Sequence, residues 1–310
     1  MSFGVVFPGQ GSQRVGMLEE AAGAFSVVSD TFFEASEALG YDLWQLISQG
    51  PAEKLGLTEY TQPAILTASV ALFRAFTEAN AFQPIAGAGH SLGEYSALVS
   101  SGTLSLEDGV RLVRQRGAAM QDAVPVGAGA MAVVMGLDDD VVTGTCTSVS
   151  TADSFVGGVN FNAPGQVVIA GHSAAVDAAI TALKDAGARR AMPLPVSAPF
   201  HTPLMQPAAE VMQQAFEDVS WSTPQFPVVS HVDGSLQSNA DSIRHSLVRQ
   251  ISAPVLWTTC IATLREAGCN QFVECGPGNV LSGLSKRVDK SLPIKSIETV
   301  AAIEAGVTDL

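Results

Sequence analysis

Apolar and polar positions along this chain follow two rhythms. Phe3 to Phe7 is a continuous apolar run of strand length, as a strand buried on both faces of a parallel sheet requires. Helical spacing follows at Phe25 to Leu39 and at Gln62 to Asn80. A short apolar segment, Ile85 to Ala88, precedes a helix-like stretch from Glu94 to Ser101. A further helix is expected over Leu106 to Ala123, with Val110, Leu112, Val113, Gly117 and Met120 marking its apolar side.

Between Pro125 and Pro199 the rhythm changes. Ala130 to Met135 reads as a strand, and Asp138-Asp139-Asp140 opens a helix whose acidic start suits the helix dipole. Val156 to Phe161 and Gln166 to Ala170 read as strands joined by the turn residues Asn162-Ala163-Pro164-Gly165. Ser173 to Ala186 is an amphipathic helix stopped by Gly187, and Ala191 to Val196 is a last, proline-marked strand. The order is β-α-β-β-α-β, the ferredoxin-like split motif. Residues 126–198 are therefore expected to form a small subdomain inserted into a core made of 1–125 and 199–310. The main sheet should resume with strands near Phe226 to Val229 and Gln271 to Glu274, the latter followed by a Gly276-Pro277-Gly278 turn.

Composition narrows the class. With 47% hydrophobic and 15% charged residues over 310 positions, the chain can bury a large core. The net charge of −14 argues against nucleic acid as a partner. No apolar run approaches the roughly 18–20 residues of a membrane span, and the first residues lack a basic n-region. Cys146, Cys260, Cys269 and Cys275 show neither a Cys-x-x-Cys pair nor zinc spacing, so no metal site and reduced, packed thiols in a cytoplasmic protein are expected.

The chemistry centres on Gly89-His90-Ser91-Leu92-Gly93, a Gly-x-Ser-x-Gly run between a strand and a helix. In a nucleophile elbow such a turn exposes the serine Oγ, and the helix start behind it offers free N–H groups to an oxyanion. Ser91-x-x-Glu94 also fits a capping box, with Ser91 as an ordinary helix cap. The glycine-rich loop Pro8 to Gln13 is no dinucleotide fingerprint, because Arg14 stands where the third glycine should be. An activated serine needs a base. Of the five histidines, His90 lies inside the turn, His172 at a helix start, His231 in a turn and His245 on a polar helix. His201 follows Pro199-Phe200, where the insert hands the chain back to the core, and junctions of that kind line clefts. As the base it is expected to titrate near the roughly 6.5 of free histidine.

Several motifs occur together in one order: Pro8-Gly9-Gln10-Gly11-Ser12-Gln13, Thr61-Gln62-Pro63-Ala64, Gly89 to Glu94, Gln115-Arg116-Gly117, Asn160 to Gln166, Ser197-Ala198-Pro199-Phe200-His201 and Gly276-Pro277-Gly278. In this the chain resembles the bacterial malonyl-CoA:acyl carrier protein transacylases and the acyltransferase domains of fatty acid and polyketide synthases. The resemblance implies an α/β fold: a hydrolase-like core with a mostly parallel sheet and a nucleophile elbow, plus the ferredoxin-like insert. It implies that Ser91 attacks the malonyl thioester, that His201 is its base, and that the backbone N–H groups of Gln10 and Leu92 form the oxyanion hole. Arg116 would bind the malonyl carboxylate, and the backbone carbonyl of Gln250 would orient His201. Gln62, Asn162 and Phe200 match pocket positions, with Phe200 crowding an α-methyl group. No bound cofactor is implied; malonyl-CoA, a coenzyme A thioester, is the substrate and holo acyl carrier protein the transient partner.

Acyl carrier proteins are acidic, so docking on a chain of net charge −14 needs a local basic face. Ten of the 16 lysines and arginines lie from Lys184 onward, and the doublets Arg189-Arg190 and Lys286-Arg287 are the candidates. Two other functions compete. An esterase or thioesterase would use the same serine with water, and would want an acid between serine and histidine; Asp153, Asp177 and Asp185 lie in that interval but all within the expected insert, which disfavours this reading. A non-catalytic carrier-protein scaffold would need none of Ser91, His201 and Arg116.

Overall fold

In the computed structural model, residues 2–196 and 198–306 are described; Ser197 of the histidine motif lies outside them. The first half contains β1 (Phe3–Phe7), α1 (Glu19–Ala24), α2 (Ser26–Leu39), α3 (Leu43–Gln49), α4 (Ala52–Leu55), α5 (Thr58–Asn80), β2 (Ala86–Gly89), α6 (Gly93–Ser100) and α7 (Leu106–Asp122). Next come β3 (Gly129–Met135), α8 (Asp139–Val149), β4 (Val156–Ala163), β5 (Gln166–His172), α9 (Ser173–Asp185) and β6 (Arg190–Pro193). The chain closes with α10 (Gln206–Ala215), β7 (Val228–Val229), β8 (Leu236–Gln237), α11 (Ala240–Gln250), α12 (Trp257–Glu266), β9 (Gln271–Glu274), α13 (Val280–Val288), β10 (Ile294–Ser296) and α14 (Val300–Glu304).

The strands form two sheets. One has the order β10-β9-β1-β2-β7-β8 and is parallel except for the β7–β8 pair. All five residues of β1 are buried, as a central strand covered on both faces requires. One face carries the larger core, built with α2, α5, α6 and α7; the other packs Trp257, Ile261 and Leu264 of α12 and Leu281 and Leu284 of α13. The second sheet is antiparallel, with the order β4-β5-β3-β6, and has its own core with α8 and α9.

Prolines account for most boundary shifts from the sequence expectation. The strand near Phe226 shrinks to Val228–Val229, because Pro227 lends only its carbonyl, to Gly87 N–H. The strand expected to reach Val196 stops at Pro193. Conversely, α5 starts four residues before Gln62, leaving Pro63 in its second turn. The chain leaves for the antiparallel sheet and returns at adjacent points: a Cβ on Gly129 would lie 2.3 Å from Pro199 Cδ. Among the described residues no helix is long and apolar enough to cross a membrane.

Candidate active site

Between β2 and α6 only His90, Ser91 and Leu92 make the turn. Ser91 has φ 53°, the left-handed region that costs an L-residue roughly 1–2 kcal/mol. The turn closes this tightly because its flanks lack side chains. A Cβ on Gly89 would sit 1.9 Å from the Gly93 carbonyl carbon, and one on Gly93 2.1 Å from Phe7 O. The serine is thereby held at the carboxyl end of a parallel sheet, where open α/β sheets place their ligands. The capping-box expectation is corrected: α6 has Leu92 at its N-cap with no side-chain cap bond, and the Glu94 carboxylate turns inward to other partners.

His201 meets this serine from the turn before α10, also at positive φ (63°). Its Nε2 lies 2.7 Å from Ser91 Oγ and its Nδ1 3.0 Å from the Gln250 carbonyl oxygen. A carbonyl only accepts, so Nδ1 carries the proton and Nε2 is free to accept from the Ser91 hydroxyl. That carbonyl ends α11, where helix C=O groups have no partner of their own and the dipole is negative. It can therefore steady an imidazolium as a carboxylate would. Asp153 and the α9 residues Asp177 and Asp185 are exposed and bonded to none of these groups. Burial first, then the neighbouring His231 ring and the Arg116 charge, push the His201 pKa well below 6.5, outweighing the Gln250 carbonyl. The expected titration near 6.5 is thus corrected downward.

Arg116 lies on the buried side of α7, only 1% exposed. It donates from Nη1 to Gln62 Oε1 (2.9 Å) and from Nη2 to Ser91 Oγ and Gln250 Oε1 (both 3.1 Å). Its guanidinium carbon lies 5.5 Å from the Tyr95 ring centroid. On the same helix Arg111 is exposed, while the half-buried Arg114 donates to Leu39 O and packs over the Tyr41 ring. No carboxylate pairs directly with Arg116 among the described residues, and its Nε has no partner there. A buried guanidinium bonded only to neutral groups has the charge to take up an anion.

Gln10, Gln62, Ser91, Leu92, Arg116, Phe200 and His201 line one cleft with His90, Met120, Met131, Asn160, Leu194 and Val196. The loop before Gln10 presses on the serine turn, since a Cβ on Gly9 would lie 2.6 Å from His90 O. Among the described residues the backbone N–H groups of Gln10 and Leu92 have no acceptor within the chain. Asn162 is a correction. It does not line the cleft; it accepts from His90 Nε2 at 2.8 Å, while Asn160 faces the cleft. A register shift between Phe161 and Ala163 breaks the alternation that would have kept the two asparagines alike. Burial pushes the His90 pKa down to about 4.

Two buried polar side chains behind the serine were not singled out from sequence. Glu94 and His231 are 2% and 0% exposed, and Glu94 Oε2 lies 3.1 Å from His231 Nδ1. The His231 ring stands edge-on to His201, centroids 5.5 Å apart. The only available signal was an acid next to the serine turn, and local spacing explained it as a cap.

The basic doublets lie away from the reacting atoms. Arg189, Arg190, Lys286 and Arg287 are exposed, and Arg287 donates to Gln166. Arg190 and Gln166 both pair with Met135, so the two doublets share one end of the antiparallel sheet. The cleft is lined from further along, at Met131 and Leu194.

Residues 5–310 match the acyl transferase domain family. The chain is 50% identical over 305 residues to the malonyl CoA-acyl carrier protein transacylase of Escherichia coli (strain K12), covering 98% of both chains. The solved malonyl CoA-acyl carrier protein transacylase of Coxiella burnetii superposes with a TM-score of 0.98 at 44% identity, covering 100% of this chain and 98% of that one. A malonyl-transacylase solved in complex with its type II PKS acyl-carrier protein superposes with a TM-score of 0.97 at 48% identity, with 100% of both chains covered.

Proposed function

The chain belongs to the acyl transferase domain family, within its bacterial malonyl CoA-acyl carrier protein transacylases, and from that membership we infer the roles of the residues in the cleft. It is an acyltransferase that moves the malonyl group of malonyl-CoA to acyl carrier protein. The observation that carries the assignment of residues is the position of Ser91 Oγ, bonded at once to a neutral imidazole nitrogen and to a carboxylate-binding guanidinium.

In the first half-reaction His201 Nε2 takes the Ser91 proton as Oγ attacks the thioester carbonyl. The oxyanion that forms is held by the N–H groups of Gln10 and Leu92. Collapse breaks the carbon–sulfur bond, and the coenzyme A sulfur leaves with the proton from His201. Malonyl-Ser91 remains, its free carboxylate on Arg116, which releases Ser91 Oγ to receive it. In the second half the carrier's phosphopantetheine thiol gives its proton to His201 and attacks the ester. Ser91 departs with that proton, so the cycle is ping-pong. Phe200 on the cleft wall crowds substituents on the α-carbon.

The β2–Ser91–α6 turn acts as the nucleophile elbow. The order β3-α8-β4-β5-α9-β6 around the antiparallel sheet supports a ferredoxin-like insert over 126–198 in a core of 1–125 and 199–310. The shared end of that sheet, with Arg189, Arg190, Lys286 and Arg287, supplies the basic face for the acidic carrier. Intact-mass measurement tests the reading. Mixing with malonyl-CoA should add one malonyl group at Ser91, and holo carrier protein should remove it. A chain that clears the adduct with water alone is an esterase, and one that forms no adduct is a scaffold.

A further inference from the structure

Gln250 bonds to Arg116, His201, Ser91 and Glu94, and its side-chain amide can face only one way. Arg116 can only donate, so the atom 3.1 Å from its Nη2 is the amide oxygen. The Ser91 carbonyl can only accept, so the amide atom 3.3 Å from it is the nitrogen. That nitrogen lies 3.0 Å from Glu94 Oε2. Glu94 Oε2 is itself held by the His231 backbone N–H at 3.3 Å and lies 3.1 Å from His231 Nδ1. All three side chains are buried. A line of fixed polarity therefore runs from carboxylate through amide to guanidinium. The backbone of its middle member is the carbonyl that accepts from His201 Nδ1.

We propose that Glu94 is a positioning residue for malonyl transfer: it locks the Gln250 amide, and through it the aim of Arg116 and the seat of His201. The inference rests on the malonyl-transfer reading above. Glu94 touches no reacting atom, and its reach matters more than its charge. A neutral acceptor of the same length can still take the Gln250 N–H. A shorter carboxylate withdraws the oxygen by about 1.5 Å, one carbon–carbon bond. The amide nitrogen then keeps only its longer contact with Ser91 O, and the Gln250 side chain is free to shift away from Arg116.

The pair Glu94→Asp and Glu94→Gln separates reach from charge. Both are compared with the parent in acyl transfer from malonyl-CoA and from acetyl-CoA, with active enzyme counted by the malonyl-Ser91 adduct so that loss of folded protein does not enter. Glu94→Asp should raise KM for malonyl-CoA and lower the malonyl-to-acetyl preference about tenfold or more, since small misplacements are costly in a site of this kind. Glu94→Gln should restore the preference to within about threefold of the parent. The reverse pattern would assign Glu94 a purely electrostatic role. An equal effect of both on the two substrates, or no effect of either, would make it a packing residue; each of these overturns the proposal. If the parent itself forms no adduct, it is the malonyl-transfer reading that fails.

Discussion

Ser91 and His201 are paired through two unusual backbones: both are non-glycine residues at positive φ, and Oγ and Nε2 meet at 2.7 Å across 110 residues of sequence. Strain of this kind persists only where surrounding packing over-determines it. The glycine-tight turn does so for Ser91, and the bond to the end of α11 does so for His201.

The pair should behave as one unit. Ser91→Ala should reduce acyl transfer on the order of 10⁴-fold or more, and His201→Ala by a comparable factor. The double variant should lose little further. Single-turnover transfer rates for the three variants check this, and losses that multiply would separate the two residues.

The acylation rate should stay flat as pH falls through about 6.5, the value of free histidine, and decline only below it. The sign follows from the lowered His201 pKa, which keeps Nε2 unprotonated in mild acid. Stability follows the same sense. His201 and His90 bind fewer protons folded than unfolded, so stability drops as pH falls from about 6.5 toward the folded values, near 4 for His90. Stopped-flow acylation and urea titrations across this window measure the two effects. His90→Gln should soften the second.

Arg116→Ala should cut malonyl transfer steeply while sparing acetyl transfer in relative terms, because only the malonyl carboxylate needs the guanidinium. Arg116→Lys should recover part of the malonyl activity, since an ammonium cannot reproduce the planar fork. Competition between malonyl-CoA and acetyl-CoA reads the preference. An unchanged ratio in Arg116→Ala would move the carboxylate site elsewhere.

Reversing Lys286 and Arg287 to Glu should raise KM for holo carrier protein, with the difference shrinking at high salt. Formation of malonyl-Ser91 from malonyl-CoA should be unaffected, because both residues lie outside the cleft. Measuring the two half-reactions separately distinguishes a docking surface from general damage.

Much of this was legible in periodicity. Arg116 was singled out by the family resemblance, although its spacing, three residues after Val113 and four after Leu112, agrees with the buried side of α7 where it lies. Eight of the ten described strands announced themselves by apolar runs and turn residues, while the short β8 and β10 did not. What periodicity could not carry was distance. Glu94 finds Gln250 156 residues later and His231 137 residues later, and nothing local to Ser91 signals such partners. The Asn160/Asn162 exchange was hidden for the opposite reason: one irregular step in β4 changes which side chain faces the cleft.

The contact between Gly129 and Pro199 has a consequence for the polymer as a whole. Closing a flexible loop costs entropy that grows only with the logarithm of its length. About 70 residues whose two ends touch thus cost the parallel sheet little more than a long turn would. That sheet can form around the segment as around any excursion that begins and ends at one point. Residues far out on the excursion are then free to lengthen, shorten or change sequence at small cost to the catalytic layer. The exceptions are the stretch just after Pro199, because His201 stands two positions beyond the closure and takes its place from it, and the residues of the excursion that face back on the cleft: Met131, Asn160, Leu194 and Val196 line it, and Asn162 accepts from His90.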